Sequence, residues 1–154
     1  MKVSKKSDYA LRVLFSLVEK YGTGPISIRE LAAENDVPKS FLEHILLDLK
    51  EMGWVNSASG KYGGYFLSKS PDEIRMGQVV RRFENNLAPI NCVSVLQYEK
   101  CDQETKCRFR RIFLQIRNDT ASMMDNATLA SVYAGSPVQL QEVMDQELVG
   151  GDGI

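Results

Sequence analysis

A chain of 154 residues, 44% hydrophobic and 25% charged, has the length of one ordinary domain, or of a small domain with one long appended element, and a composition that excludes a disordered or membrane-embedded class. The formal net charge of -1 excludes a strongly basic, non-specific nucleic-acid binder, yet the charge is unevenly spread: residues 1–83 carry 13 Lys and Arg against 10 Asp and Glu, and residues 84–154 carry 6 against 10. The front of the chain holds the electropositive share that a DNA-facing surface needs.

Near the start, the apolar run 11–18 is too short to cross a bilayer and no small-residue cleavage site follows it, so a cytoplasmic location is expected. Over 7–21, Tyr9, Ala10, Val13, Leu14, Leu17 and Val18 fall three and four apart and predict a first helix. Gly22, Gly24 and Pro25 break it. Ser27, with Glu30 three positions on, reads as the cap of a second helix over 28–34.

Asn35, Asp36 and Val37 form a tight polar turn, after which Pro38 suits a first helical position. A third helix runs through 52, with Phe41, Leu42, Ile45, Leu46 and Leu49 on one stripe and Gly53 as its stop. Two helices joined by so short a turn are the helix-turn-helix pattern, whose second helix enters the major groove. Lys39, Ser40, Glu43 and His44 are its outward candidates: Glu43 can accept from a cytosine amino group, and Ser40 can serve a base or a phosphate.

Residues 54–56 and 65–67 are aromatic or β-branched and flank a Gly-rich stretch, which predicts a β-hairpin wing. At its tip Gly60, Gly63 and Gly64 permit positive φ and close backbone approach, and Lys61 adds a charge for the minor groove or a phosphate. A fourth helix over 76–84 has Val79, Val80 and Phe83 on its apolar side. Residues 87–107 lack periodicity and read as a loop around a site. From 109 on, Ile112, Phe113, Ile116, Thr120, Met123 and Ala127 keep helical spacing for about five turns, too one-sided for a helix alone in water, so a partner helix is expected.

The loop holds all three cysteines, as Cys92-x8-Cys101-x5-Cys107. In a reducing compartment such a set is reactive or metal-bound rather than disulfide-linked. Three thiolates suit three corners of an iron-sulfur cluster, and soft thiolates also suit zinc. His44, the single histidine, lies on the predicted DNA-reading helix, which argues against a Cys3His zinc site. Structural cysteines without metal are the remaining alternative. No nucleophile–base pair, phosphate-cradling loop or His-Glu-x-x-His motif is present, so an enzyme is not expected.

The segments SDYALRVL, PISIRELAAENDVPKSFLEHILLDLKEMGWV and GKYGGYFLSKSPDEIRMGQVVRRFE together resemble the BadM and IscR-type (Rrf-two) family of transcription regulators, over roughly residues 1–130. The resemblance implies a mainly α fold with a small β-hairpin wing: a winged helix-turn-helix domain over 1–84, a cysteine-containing loop over 85–108, a dimerisation helix over 109–135 and a tail over 136–154. It further implies a homodimer that binds double-stranded DNA of dyad symmetry, as a repressor above all. Members that read a defined operator often carry Arg just before the first wing glycine; Ser59 stands there in this chain.

The resemblance also implies a 4Fe-4S or 2Fe-2S cluster on Cys92, Cys101 and Cys107. Some relatives add a histidine three residues past the last cysteine, where this chain has Arg110. Others, similar to nitric-oxide-sensing members, use an aspartate near the start of the first helix, donated by the other subunit, which makes Asp8 the candidate fourth ligand. Iron, redox state or nitric oxide would then set DNA affinity. The alternative is a cluster-free regulator of the same fold that acts by cysteine chemistry or by binding a partner protein.

Overall fold

In the computed structural model, which describes residues 3–84 and 86–144, helices dominate and a two-stranded antiparallel sheet follows the third of them. Helix α1 (Lys5–Glu19) starts earlier than its apolar spacing predicts because Ser4 caps it, Oγ accepting from the Ser7 N–H at 3.3 Å. Helix α2 (Ile28–Asn35) opens with the expected capping box: the Glu30 N–H donates to Ser27 Oγ at 3.3 Å and the Ser27 N–H donates to Glu30 Oε2 at 2.9 Å. It closes on Asp36 in the left-handed region, φ 52°. Val37, expected in a polar turn, is buried and plugs the angle between α2 and α3.

Helix α3 (Lys39–Glu51) begins one residue later than expected, with Pro38 outside it accepting from the N–H groups of Phe41 and Leu42. Leu42, Ile45, Leu46 and Leu49 pack against Ala10, Val13, Leu14 and Leu17 of α1 and form the centre of the core. Phe41, expected on that stripe, is half exposed and meets Tyr9 edge-on at 5.6 Å between ring centroids.

Strands β1 (Val55–Ala58) and β2 (Gly64–Leu67) pair from Val55 opposite Leu67 to Ala58 opposite Gly64. The hairpin is also tied to the segment before α2, because Ile26 and Tyr65 exchange two backbone hydrogen bonds at 2.9 and 2.8 Å. Helix α4 (Met76–Glu84) buries Val79 and Val80. The segment that follows is irregular except for a 3₁₀ turn, Asn91–Val93, as a loop was expected to be.

Helix α5 (Arg110–Asn126) contains no buried residue and carries Ile112, Ile116 and Met123 exposed along one side. The continuous helix expected to 135 ends at Asn126. Ala127 turns extended, its carbonyl accepts from the Met76 N–H at 2.9 Å, and the Leu129 N–H donates to the Ile74 carbonyl at 2.9 Å. Thr128 then caps a short helix α6 (Leu129–Tyr133), which returns to α1 and buries Leu129 completely. A last helix, α7 (Leu140–Met144), is exposed; the remainder of the tail, 145–154, lies outside the described residues. Among the described residues no helix is long and apolar enough to cross a membrane.

Leu129 is the anchor of this reversal, and truncating a fully buried leucine loses both transfer energy and packing. Leu129→Ala should lower the unfolding free energy by about 2–5 kcal/mol, against less than about 0.5 kcal/mol for the exposed Leu140→Ala, by urea denaturation. Equal midpoints for the two variants would contradict the anchoring role.

Candidate functional site

Lys39, Ser40, Glu43 and His44 all lie exposed on one side of α3, opposite the leucine stripe that fixes the helix to the core. Lys39 and Glu43 form a long i,i+4 ion pair at 3.8 Å, loose enough in water to open for a base or phosphate. The C-terminal part of the same helix is held electrostatically. Arg82 of α4 donates to Asp48 at 2.7 Å and to Glu51 at 2.6 Å, and Lys6 of α1 reaches Asp48 at 2.8 Å. The Lys6 ammonium, ahead of the Arg82 guanidinium, holds the Asp48 carboxyl below its ordinary range.

At the wing, Gly60 alone of the three tip glycines expected to allow positive φ adopts it, at 103°. Gly63 and Gly64 serve close approach instead. A Cβ on Gly63 would strike the Ala58 carbonyl, and one on Gly64, which lies in β2 rather than at the tip, would strike the Ile26 carbonyl across the anchoring bridge. Lys61 stands exposed at the tip with its ammonium 5.5 Å from the Tyr62 ring centroid. Tyr62 is 84% exposed, which no core requirement explains, and it joins Lys61 at the point of the wing. The sequence places Tyr62 in the Gly-rich stretch between the strands, where charge singles out Lys61 alone. The isolation of Tyr62 from every apolar neighbour in the pattern was the available signal.

The cysteine segment is folded on itself by Glu104, which accepts from the Tyr98 hydroxyl at 2.8 Å and pairs with Arg110 at 3.2 Å. Arg110, the first residue of α5, also donates to the Cys92 carbonyl at 2.6 and 3.2 Å. The position where a ligand histidine was considered thus holds a guanidinium that clamps the segment to the helix. Cys92 and Cys107 line one cleft with Glu104, Arg110 and Arg111, whereas Cys101 is exposed and outside that lining. Asp8 is engaged on α1 with Arg12 at 2.8 Å.

An iron-sulfur cluster needs its ligands convergent. Among the described residues no three His, Cys, Asp or Glu side chains are arranged to hold a metal ion. Within the single chain the described residues thus bring Cys92 and Cys107 to one cleft, with Cys101 outside its lining.

From the far end of α5, Asp125 accepts both Arg81 nitrogens of α4 at 2.6 and 2.7 Å, and Arg81, first among its influences, pulls the Asp125 carboxyl down. Gly77 makes room for this contact, since a Cβ there would collide with the Asp125 carboxylate. At the last residue of α4, Glu84 accepts from the Ser7 hydroxyl and the Ser4 N–H. Burial pushes the Glu84 carboxyl up, but these donors outweigh it and leave the group below its ordinary range.

A winged helix-turn-helix with an exposed recognition face, a pointed wing and a projecting long helix defines a DNA-binding transcription regulator. The family model Rrf2, described as "Iron-dependent Transcriptional regulator", matches residues 3–135, and this chain belongs to that family. An rrf2-like HTH-type transcriptional regulator of Rhodobacter capsulatus is 36% identical over 142 residues, covering 88% of this chain and 95% of that protein. The HTH-type transcriptional regulator CymR of Bacillus subtilis is 34% identical over 129 residues, covering 84% and 87%. The solved structure of CymR, there called the global cysteine regulator of B. subtilis, matches with a TM-score of 0.73 at 30% identity over 89% of this chain and 99% of that one.

Asp48, Glu84 and Asp125 each have a folded-state pKa below the ordinary carboxylate value, so their contribution is present above that value and is lost as pH falls through the lower, folded one. Urea stability should accordingly hold from neutral pH down to the ordinary carboxylate range, roughly pH 4, and drop on further acidification. Asp48→Asn should be less stable at neutral pH and lose less on acidification than the parent. A parallel pH profile in the two proteins would remove Asp48 from the account.

Proposed function

We propose that two copies of this chain grip duplex DNA of dyad symmetry through α3 and the wing, and that chemistry at Cys92, Cys101 and Cys107 sets the strength of the grip. The observation that supports it is the clamp of Arg110 on the Cys92 carbonyl, at the head of a helix whose other end is held by Arg81 beside the residue that holds α3. A second copy is called for by Phe109, Ile112, Ile116 and Met123, large apolar side chains exposed along one side of α5. In this arrangement Lys39, Ser40, Glu43 and His44 face base edges and phosphates, and Lys61 with Tyr62 meets the adjacent backbone or minor groove.

Reversible thiol chemistry is the route that the chain's geometry favours, since Cys92 and Cys107 share a cleft and Cys101 is open to solvent. The second reading is an iron-sulfur cluster held by Cys92, Cys101 and Cys107 with Asp8 of the second copy. It is supported by the family's description as iron-dependent and by the three thiols of one segment. When bound, a cluster would supply iron, oxygen or nitric-oxide sensitivity. A shift of about 1–3 kcal/mol in DNA affinity, roughly 5- to 150-fold, is the scale of such control.

Mobility-shift titrations with palindromic duplexes should show Lys61→Ala weakening all sequences alike and lowering the salt slope by about one, as for a phosphate contact. An unchanged slope would place Lys61 off the DNA. Anaerobic reconstitution with iron and sulfide separates the two chemistries. A brown protein that Cys101→Ala bleaches establishes the cluster, and a colourless protein whose DNA affinity follows thiol oxidation establishes the thiol route. Affinity indifferent to blocking all three thiols would overturn control from this segment.

A further inference from the structure

A second cavity, of about 110 Å³, lies between α4, the segment after the Asn91–Val93 turn and the middle of α5, with no cysteine in its lining. Leu87, Val95, Leu96 and Ala121 make it largely apolar, and two arginines, Arg81 and Arg117, stand on its wall. Several of its polar groups already have partners. Arg81 is paired bidentately with Asp125. The Ser94 hydroxyl donates to Asn86 Oδ1 at 3.0 Å and accepts from the Gln97 N–H at 2.9 Å, and Asn86 Oδ1 also accepts from the Ala88 N–H at 2.8 Å.

Arg117 differs from them. Its Nε is shut off from solvent with no hydrogen-bond partner, and its guanidinium makes no ion pair with the described residues. A shielded guanidinium donor without an acceptor is destabilising, and a guanidinium is always charged. Only Nε is shielded, and the cavity beside it has space for an acceptor.

We infer that this cavity binds a small aliphatic monocarboxylate, its carboxylate on Arg117 and its hydrocarbon body against Leu87, Val95, Leu96 and Ala121. At about 110 Å³ the space is well below the roughly 300–1,000 Å³ of drug-sized pockets and suits an acid of a few carbons. A dicarboxylate would need a second free cation, and Arg81 is already neutralised. Inorganic phosphate would leave the apolar walls unused. Since Ser94, Val95 and Leu96 closely follow Cys92, an occupant would fasten that segment to α5.

The test is a titration of the full chain with sodium butyrate, read from the ¹⁵N-resolved Arg117 Nε–H resonance and from Tm, with 1-butanol and inorganic phosphate as controls at matched ionic strength. Butyrate should shift the resonance and raise Tm, and the controls should do neither. Arg117→Met should weaken butyrate binding by about tenfold or more, through loss of charge-assisted hydrogen bonds. Ala121→Leu, which keeps the cation and fills the cavity, should abolish binding, so the inference stays testable if Arg117→Met fails to fold. It is overturned if butyrate does not bind, if both variants bind as the parent does, or if phosphate binds as tightly as butyrate. No DNA enters the measurement, so its failure would leave the DNA-binding proposal standing.

Discussion

Two adjacent arginines on α4 join the parts of this molecule. Consecutive positions on a helix point about 100° apart, so Arg81 and Arg82 reach different neighbours from one place. Arg81 holds Asp125 at the end of α5, and Arg82 holds Asp48 and Glu51 in the C-terminal part of the recognition helix. Each pair is partly exposed and contributes little stability by itself. Their importance is positional: α3 and α5 are both referred to the same short helix, and α5 begins at the clamp on the cysteine segment.

The wing obeys a parallel constraint. Its base is fixed by the pairing of Ile26 with Tyr65, which only a glycine at position 64 allows, while its point carries Lys61 and Tyr62 into solvent. In the proposed complex a rigid root and a free tip would let the hairpin meet a groove at a set height above α3. The wing and α3 are thus positioned by backbone pairing in the one case and by ion pairs in the other.

Much of this was legible in the chain itself. The capping box of Ser27 and Glu30, the leucine stripe of α3 and the Gly-rich hairpin are local signals, and each formed where spacing and turn chemistry placed it. The reversal after Asn126 was not legible, because Ala127 continues the helical spacing and its departure depends on hydrogen bonds to Ile74 and Met76, some fifty residues away in sequence. Val37 was hidden for the same reason: a valine beside Asn and Asp looks like turn until its tertiary neighbours are known. The exposed row on α5 was the reverse case, its need for a partner visible in the pattern and unsatisfied within one chain. The cysteine spacing named the donors but could not state their convergence, which depends on loop geometry and on what a second copy supplies.

The central claim is that the state of the cysteine segment reaches α3 through α4. It is tested most directly by measuring DNA affinity in the two states of that segment, loaded or unloaded, oxidised or reduced, in the parent and in Arg82→Gln. The account predicts a ratio of affinities of roughly 5- to 150-fold in the parent that collapses toward one in the variant, while the variant still binds DNA. The same ratio in both proteins would contradict it.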